Sequence, residues 1–164
     1  MDATPHVAHR AEQRYVSLRD VVPMDQVSRI ADRFGEVFGW LGAQGVAPAG
    51  APFLRYNEID MPRQLDIEAG VPVDADLEAQ GEIVFGVLPA GHYATVDHVG
   101  PFDGLMDATA GLLEWAGDQD LRFDMVLEGD TERWACRLEL YLTDPSEETD
   151  PQRYRTQLAF RLAD

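Results

Sequence analysis

The chain has 164 residues, 45% of them hydrophobic, which suits one globular domain or two closely fused halves. Its formal net charge is −17 and all 13 basic residues are arginine, which disfavours binding to nucleic-acid phosphates and favours a cationic partner. No apolar run approaches the ~20 residues that span a bilayer, and the amino terminus lacks a signal-peptide core. The single cysteine, Cys136, allows no intrachain disulfide and is expected to be buried and inert. These features predict a cytoplasmic protein without direct nucleic-acid or membrane binding.

Residues 1–14 are polar and are predicted to form a flexible arm. Two similar halves follow this arm. The segment YVSLRDVVPMD (15–25) aligns without a gap on YATVDHVGPFD (93–103), at an offset of 78 residues. We interpret the similarity as an internal duplication, with copies at about 15–73 and 83–162 and an acidic joint between them.

Each copy is predicted to run strand, helix, strand, strand. Asp25 and Asp103 are expected to cap the amino ends of the two amphipathic helices, and Gly45 and Gly117 to end them. The second copy is predicted to be extended at its start, through residues 83–99. The paired strands after the helices are predicted at 53–60, 64–73, 134–145 and 155–162.

This element order predicts an α+β fold of tandem β-α-β-β repeats. Both helices are expected on one face of a curved antiparallel sheet, because each helix has one apolar stripe to bury. The duplication implies a pseudo-two-fold axis with a central cleft where the halves meet, a common location for ligands.

The stretch WACRLELYLTDP (134–145) alternates in the manner of a half-buried strand. Its apolar residues are at even positions, and its odd positions carry Arg137, Glu139 and Tyr141. Glutamate is depleted in strands, so this face needs an explanation. It is either solvated sheet surface, with Glu139 paired to Arg137 or Arg161, or the wall of a pocket.

The stretches DIEAGVPV, GVLPAGHYATVDHVGPFDGL, LLEWAGD and LELYLTDP resemble, in this order and spacing, the GyrI-like or transcription-activator effector-binding family over about residues 15–162. The resemblance implies the tandem β-α-β-β fold and a cleft that binds lipophilic cations between aromatic walls and a glutamate. The E-x-Y motif of the family matches Glu139 and Tyr141. Phe102 stands where many members have tyrosine, and Arg161 where proline is common. No helix-turn-helix pattern is found, so a stand-alone member is expected.

The candidate ligand-binding residues combine this motif with nearby aromatic side chains. Phe53 and Tyr56 have opposite parity on their strand, so at most one faces the cleft unless a bulge intervenes. Tyr93 aligns with Tyr15, which favours a structural role common to both copies. The full candidate set is Glu139, Tyr141, Tyr56, Phe53, Tyr93, Phe102 and Trp134.

Three functions are open at this point. The leading hypothesis is capture of a lipophilic, cationic or polycyclic small molecule. In the second, the chain hydrolyses reactive cyclopropane-bearing toxins, which the resemblance implies for some stand-alone members. Glu139 would then be the general base and Tyr141 the hydrogen-bond donor to the developing oxyanion. In the third, the acidic surface binds a protein partner, either a regulator or DNA gyrase, which the resemblance implies for other members. No cofactor or metal is expected, because His92 and His98 lack a convincing third ligand.

Overall fold

The computed structural model describes residues 4–60 and 63–163. Within these ranges one antiparallel sheet contains ten strands, and three α-helices pack on it. The strands are β1 (His6–Arg10), β2 (Gln13–Val22), β3 (Phe53–Asp60), β4 (Gln64–Pro72), β5 (Val84–Leu88), β6 (Gly91–Val99), β7 (Met125–Glu128), β8 (Thr131–Trp134), β9 (Arg137–Tyr141) and β10 (Arg155–Arg161). The helices are α1 (Val27–Ala31), α2 (Phe34–Ala43) and α3 (Leu105–Asp118). No helix in the described ranges is long and apolar enough to cross a membrane.

The predicted tandem α+β fold is confirmed by the order of the strands. The sheet runs β1-β6-β10-β9-β3-β4-β2-β5, so β6-β10-β9 of the second copy is related to β2-β4-β3 of the first. The copies meet where β3 pairs with β9, and there Leu54 lies opposite Glu139. The pseudo-two-fold axis therefore passes through this pair, and the rotation relates Tyr56 to Tyr141.

The two outermost strands are exchanged between the copies. His6–Arg10 and Val84–Leu88 are separated by the same offset of 78 residues as segments 15–25 and 93–103. However, β1 of the first copy pairs with β6 of the second, and β5 of the second pairs with β2 of the first. Residues 6–10 are therefore an edge strand, contrary to the prediction of a flexible arm; residues 1–3 lie outside the described ranges. The extension predicted only for the second copy is present in both.

Both copies enter their helix through a proline and a 3₁₀ turn. Pro23 and Pro101 have almost the same backbone angles, φ −62°, ψ 156° and φ −61°, ψ 157°. The expected caps from Asp25 and Asp103 are wrong, since neither side chain bonds the helix start. The turns use backbone bonds instead, such as that from the Gln26 amide to the Pro23 carbonyl at 2.9 Å.

The helix of the first copy consists of two segments, α1 and α2, whereas α3 is continuous. Gly45, with φ 71°, follows the end of α2 as predicted. The end expected at Gly117 is wrong by one residue, and Asp120, with φ 58°, provides the left-handed residue. An unpredicted hairpin, β7–β8, turns at Gly129 between α3 and β9.

Apolar side chains cover both faces of the sheet. The helices pack on one face over a large core that includes Val16, Ile67 and Leu158. The opposite face carries a smaller cluster, Tyr15, Phe53, Leu88, Tyr93, Cys136, Leu138, Leu140 and Ala159. Cys136 is fully buried there, as expected. On the same opposite face the buried carboxylate of Glu68 accepts hydrogen bonds from Tyr15, Ser17 and Asn57.

Candidate functional site

A cavity of about 1280 Å³ lies between the helices, above the junction of β3 and β9. We call it the central cavity. Its floor comes from the two central strands, and its walls come from α1 and α2 on one side and α3 on the other. Its volume exceeds the ~300–1,000 Å³ of common ligand pockets. Besides the residues discussed below, the lining includes Met24, Val27, Leu54, Ile59, Leu65, Leu105, Met106 and Leu113.

Glu139 is at the centre of the floor, where two symmetry-related tyrosines bind it. The Tyr56 hydroxyl donates to Oε1 of Glu139 at 3.0 Å, and the Tyr141 hydroxyl donates to the same oxygen at 2.9 Å. No described residue donates to Oε2, which retains accessible surface. One carboxylate oxygen is therefore occupied by the protein, and the other is open to the cavity.

The environment of Glu139 disfavours its charge. Burial raises the pKa of its carboxyl, and this effect outweighs the opposing effects of the two tyrosine hydrogen bonds and of Arg137. Burial and the neighbouring carboxylate raise the pKa values of Tyr56 and Tyr141 well above their usual range. Both phenols therefore remain donors near neutral pH. Within the described ranges no arginine or histidine nitrogen is within 4.0 Å of the Glu139 carboxylate.

Aromatic rings surround the open side of Tyr141. The ring of Phe34, from α2, lies edge-on to it at a centroid distance of 6.0 Å, and that of Phe102 does so at 5.7 Å. Phe102 also packs on Tyr154 at 5.3 Å and is 45% exposed. The negatively polarised faces of such rings attract cations.

A guanidinium lies at a second position of the floor, on the same face of β9. Arg137 is 4.9 Å from the ring centroid of Trp134, 4.5 Å from that of Phe160 and 5.8 Å from that of Tyr56. Its Nη1 is 3.8 Å from Oε1 of Glu132, which accepts a hydrogen bond from the Trp134 indole. Burial lowers the pKa of Arg137, but a guanidinium remains charged in proteins.

Acidic groups outnumber basic ones around the cavity. Three exposed aspartates, Asp32, Asp103 and Asp144, line it together with Glu132 and Glu139, against the single cation of Arg137. With every group ionised, the lining carries a formal charge of −4. Low-dielectric walls focus the field of such an arrangement and concentrate cations at the opening.

The structure brings four of the seven candidate residues together. Glu139, Tyr141, Tyr56 and Phe102 line the central cavity. Of the β3 pair with opposite parity, only Tyr56 faces the cavity, and the register shift between Tyr56 and Glu58 comes after it. The odd face of β9 is therefore a cavity wall, and the alternative pairing with Arg161 is absent because Arg161 bonds Asp124.

The other three candidates do not line the cavity. Phe53 and Tyr93 belong to the small cluster on the opposite face of the sheet, since their strand positions point away from the helices. Tyr93 is also held by a hydrogen bond to the Pro89 carbonyl at 2.6 Å, which supports the structural alternative. Trp134 is buried behind Arg137, and it contacts the lining residues Arg137 and Glu132 without lining the cavity itself.

Several lining residues are absent from the predicted site. Phe34 and Phe38 belong to the apolar stripe of the first amphipathic helix, and both line the cavity, with Phe38 38% exposed. Their spacing of four residues places them on one helix face, which could have suggested a shared surface. Arg137 was considered only as a partner for Glu139. Within the described ranges no cluster of three or more metal-ligating side chains is found.

Together, the fold and the cavity define an α+β domain of two fused repeats with a ligand-sized site at their junction. The chain belongs to the GyrI-like small molecule binding domain family, whose model matches residues 3–163. No curated protein matches the sequence.

Solved structures with the same fold include the C-terminal domain of EcmrR, at 22% identity and a TM-score of 0.77, with 98% of each chain covered. In the EcmrR–DNA complex the chain spans 57% of the length of EcmrR. SAV2435 bound to tetraphenylphosphonium is similar at 11% identity and a TM-score of 0.62, over 98% of this chain and 94% of that one. A hydrolase from Listeria innocua is similar at 13% identity and a TM-score of 0.62, over 97% and 91%.

Proposed function

We propose that this chain captures lipophilic cations, including polycyclic ones, in the central cavity. The observation that carries the proposal is the open Oε2 of Glu139, inside an aromatic cavity with no cation within 4.0 Å among the described residues. A cytoplasmic location is part of the proposal, and the unpaired, buried thiol of Cys136 is in keeping with a reducing compartment.

The cost of removing water from Glu139 favours a weakly hydrated cation as its partner. A carboxylate in an apolar cavity is unfavourable unless a cation or hydrogen-bond donors compensate it. The tyrosines compensate one oxygen, so a cation at the other oxygen would complete the site. A delocalised organic cation is weakly hydrated, and each good aromatic contact adds about 0.5–2 kcal/mol. The tetraphenylphosphonium bound by SAV2435 is a ligand of this chemistry.

The experiment compares two ions of almost the same shape and opposite charge. Tetraphenylphosphonium and tetraphenylborate are titrated calorimetrically into the wild type, Glu139→Gln and Glu58→Gln. Glu58, on β3, is a matched control because it lies outside the cavity and pairs with Arg133. At ~4–5 Å and an effective dielectric constant of ~20, the ion pair contributes about 3–4 kcal/mol before desolvation.

After desolvation we expect Glu139→Gln to weaken phosphonium binding at least ~10-fold, which corresponds to about 1.4 kcal/mol. Glu58→Gln should bind like the wild type, and tetraphenylborate should bind far more weakly to all three proteins. Equal binding of the two ions, or equal effects of the two substitutions, would contradict the proposal.

A second candidate function is addition of water to an activated cyclopropane. The observation that favours it is the same open Oε2, on a carboxyl whose raised pKa improves it as a general base. Glu139 would take a proton from water, hydroxide would attack a ring carbon, and the C–C bond would break toward the activating carbonyl. The enolate left by that cleavage would take the proton back from Glu139, so that one water is added in total. Mass spectrometry of a spirocyclopropane incubated with wild type and Glu139→Gln tests for the gain of one water.

A further inference from the structure

Arg137 lines the central cavity without a hydrogen-bond acceptor. None of its guanidinium nitrogens makes a hydrogen bond to any residue in the described ranges, although its side chain is only 14% exposed. The Nε is completely buried and unpaired, whereas the two terminal nitrogens retain accessible surface. A guanidinium presents five N–H donors, and in Arg137 none of them has a protein acceptor among the described residues.

The nearest carboxylate does not complete that set. Oε1 of Glu132 is 3.8 Å from Nη1, which is beyond hydrogen-bond distance, and it already accepts the Trp134 indole N–H at 2.8 Å. The Glu132 side chain is also 36% exposed, so it can be solvated without Arg137. The guanidinium is thus attracted by Glu132 but not hydrogen-bonded by it.

The guanidinium is also held in place before any ligand binds. The rings of Trp134 and Phe160 are 4.9 Å and 4.5 Å from it, and such stacking restricts its rotation. A cation fixed in this way, with unused terminal donors, favours a planar oxygen acceptor that can take two parallel N–H bonds. Carboxylate has this geometry.

We propose that the preferred ligand is amphoteric, with its cation at Glu139 and a carboxylate at Arg137. This inference rests on the proposed cation capture and specifies the ligand class further. The two residues are two positions apart on one face of β9, which separates their Cβ atoms by roughly 7 Å. The two charged groups of the ligand should have a comparable separation.

Two fluorescent dyes provide the test, because they differ in one group. Rhodamine B carries a delocalised xanthylium cation and a carboxylate, and in its ethyl ester that carboxylate is masked. Dissociation constants for both dyes are measured by fluorescence anisotropy with wild type, Arg137→Gln, Arg137→Lys and Arg133→Gln. Arg133 is the matched control, because it lies outside the cavity and pairs with Glu58 and Glu128. Circular-dichroism melts establish that each variant is folded.

We expect the wild type and Arg133→Gln to bind rhodamine B at least 10-fold more tightly than its ester. Arg137→Gln should remove that preference by weakening rhodamine B while leaving the ester within about 3-fold. Arg137→Lys should retain part of the preference, since it keeps the charge but loses the planar fork. A wild type without a preference, or an Arg137→Gln that weakens both dyes equally, would overturn the inference.

Tetraphenylphosphonium, a cation without a carboxylate, distinguishes failure of the carboxylate site from failure of cation capture. If it binds in a Glu139-dependent manner while rhodamine B shows no advantage over its ester, cation capture stands and the carboxylate site is refuted. If neither tetraphenylphosphonium nor either dye binds, cation capture itself fails, and the amphoteric ligand fails with it.

Discussion

Removing one of the two tyrosine hydroxyls that bind Glu139 should shift the pH dependence of cation binding. Each hydrogen bond stabilises the ionised carboxylate and lowers its pKa, against the larger upward effect of burial. The Tyr56→Phe or Tyr141→Phe variant should therefore have a Glu139 pKa higher than the already raised value of the wild type. Protons compete with the cation for the carboxylate, so affinity decreases as pH falls. In each variant this decrease should begin at a higher pH than in the wild type.

The magnitude follows from the two bonds, at 3.0 Å and 2.9 Å, both on one oxygen. A hydrogen bond to a charged group contributes about 1.5–3 kcal/mol, and one pKa unit corresponds to about 1.36 kcal/mol. The protonated carboxyl also accepts hydrogen bonds, which cancels part of the effect. We therefore expect each substitution to raise the pKa of Glu139 and to weaken phosphonium binding by about tenfold at a pH below that pKa. The effect should be nearly equal for the two tyrosines because the pseudo-two-fold axis relates them.

The assay is the dissociation constant of tetraphenylphosphonium between pH 4.5 and 8.5. Below the pKa of Glu139 the affinity should fall by about tenfold per pH unit, and the break in the curve gives that pKa. The Tyr154→Phe variant is the control, because its ring packs on Phe102 while its hydroxyl is not bonded to Glu139. A break that does not move in either variant, or that moves to lower pH, would refute the reasoning.

Three further predictions concern stability. Folding raises the pKa of Glu139, so the free energy of unfolding of the unliganded wild type should fall as pH rises from about 4 through that pKa. In thermal melts Glu139→Gln should lack this loss of stability, whereas Glu58→Gln should behave as wild type. Glu68→Ala removes the acceptor of two buried hydroxyls, on Tyr15 and Ser17, and of the half-buried Asn57 amide. Urea titration should therefore show a loss of about 2–4 kcal/mol with unchanged phosphonium affinity per folded molecule, and a neutral effect would contradict a structural role. Deleting residues 1–11 removes β1 from β6 and should lower the urea midpoint, and an unchanged midpoint would show that the exchanged strand contributes nothing.

The repeat was visible in the sequence because it rests on local signals. Alternating strands, two amphipathic helices and the ungapped match of segments 15–25 and 93–103 are sufficient to predict β-α-β-β twice. The exchange of β1 and β5 was not visible, since HVAHR and VFGVL share no obvious pattern and an edge strand tolerates polar residues. The pairing of β1 and β5 also depends on which edges of the sheet are unpaired, and this is known only from the complete sheet.

The candidate site was predictable where strand parity determined it. Glu139 and Tyr141 share one face of β9, and the parity rule separated Phe53 from Tyr56 correctly. Parity alone could not assign Tyr93 or Trp134, because both faces of this sheet carry apolar clusters. An aromatic residue is therefore buried whichever way it points. Arg137 could be identified as a candidate binding residue only from the structure, which shows that its guanidinium has no hydrogen-bond acceptor among the described residues.

The pseudo-two-fold axis passes between Glu139 and its counterpart Leu54, so the site has one charge between two equivalent tyrosines. A simple cation at that charge has two related binding orientations, one toward each tyrosine. Such orientational degeneracy adds about 0.4 kcal/mol of favourable entropy and relaxes the demand for one ligand shape. Arg137 has no such counterpart, since the rotation places Pro52 at the equivalent position. The cavity can therefore accept simple cations in either orientation, whereas Arg137 selects one orientation for a ligand that also carries an acceptor.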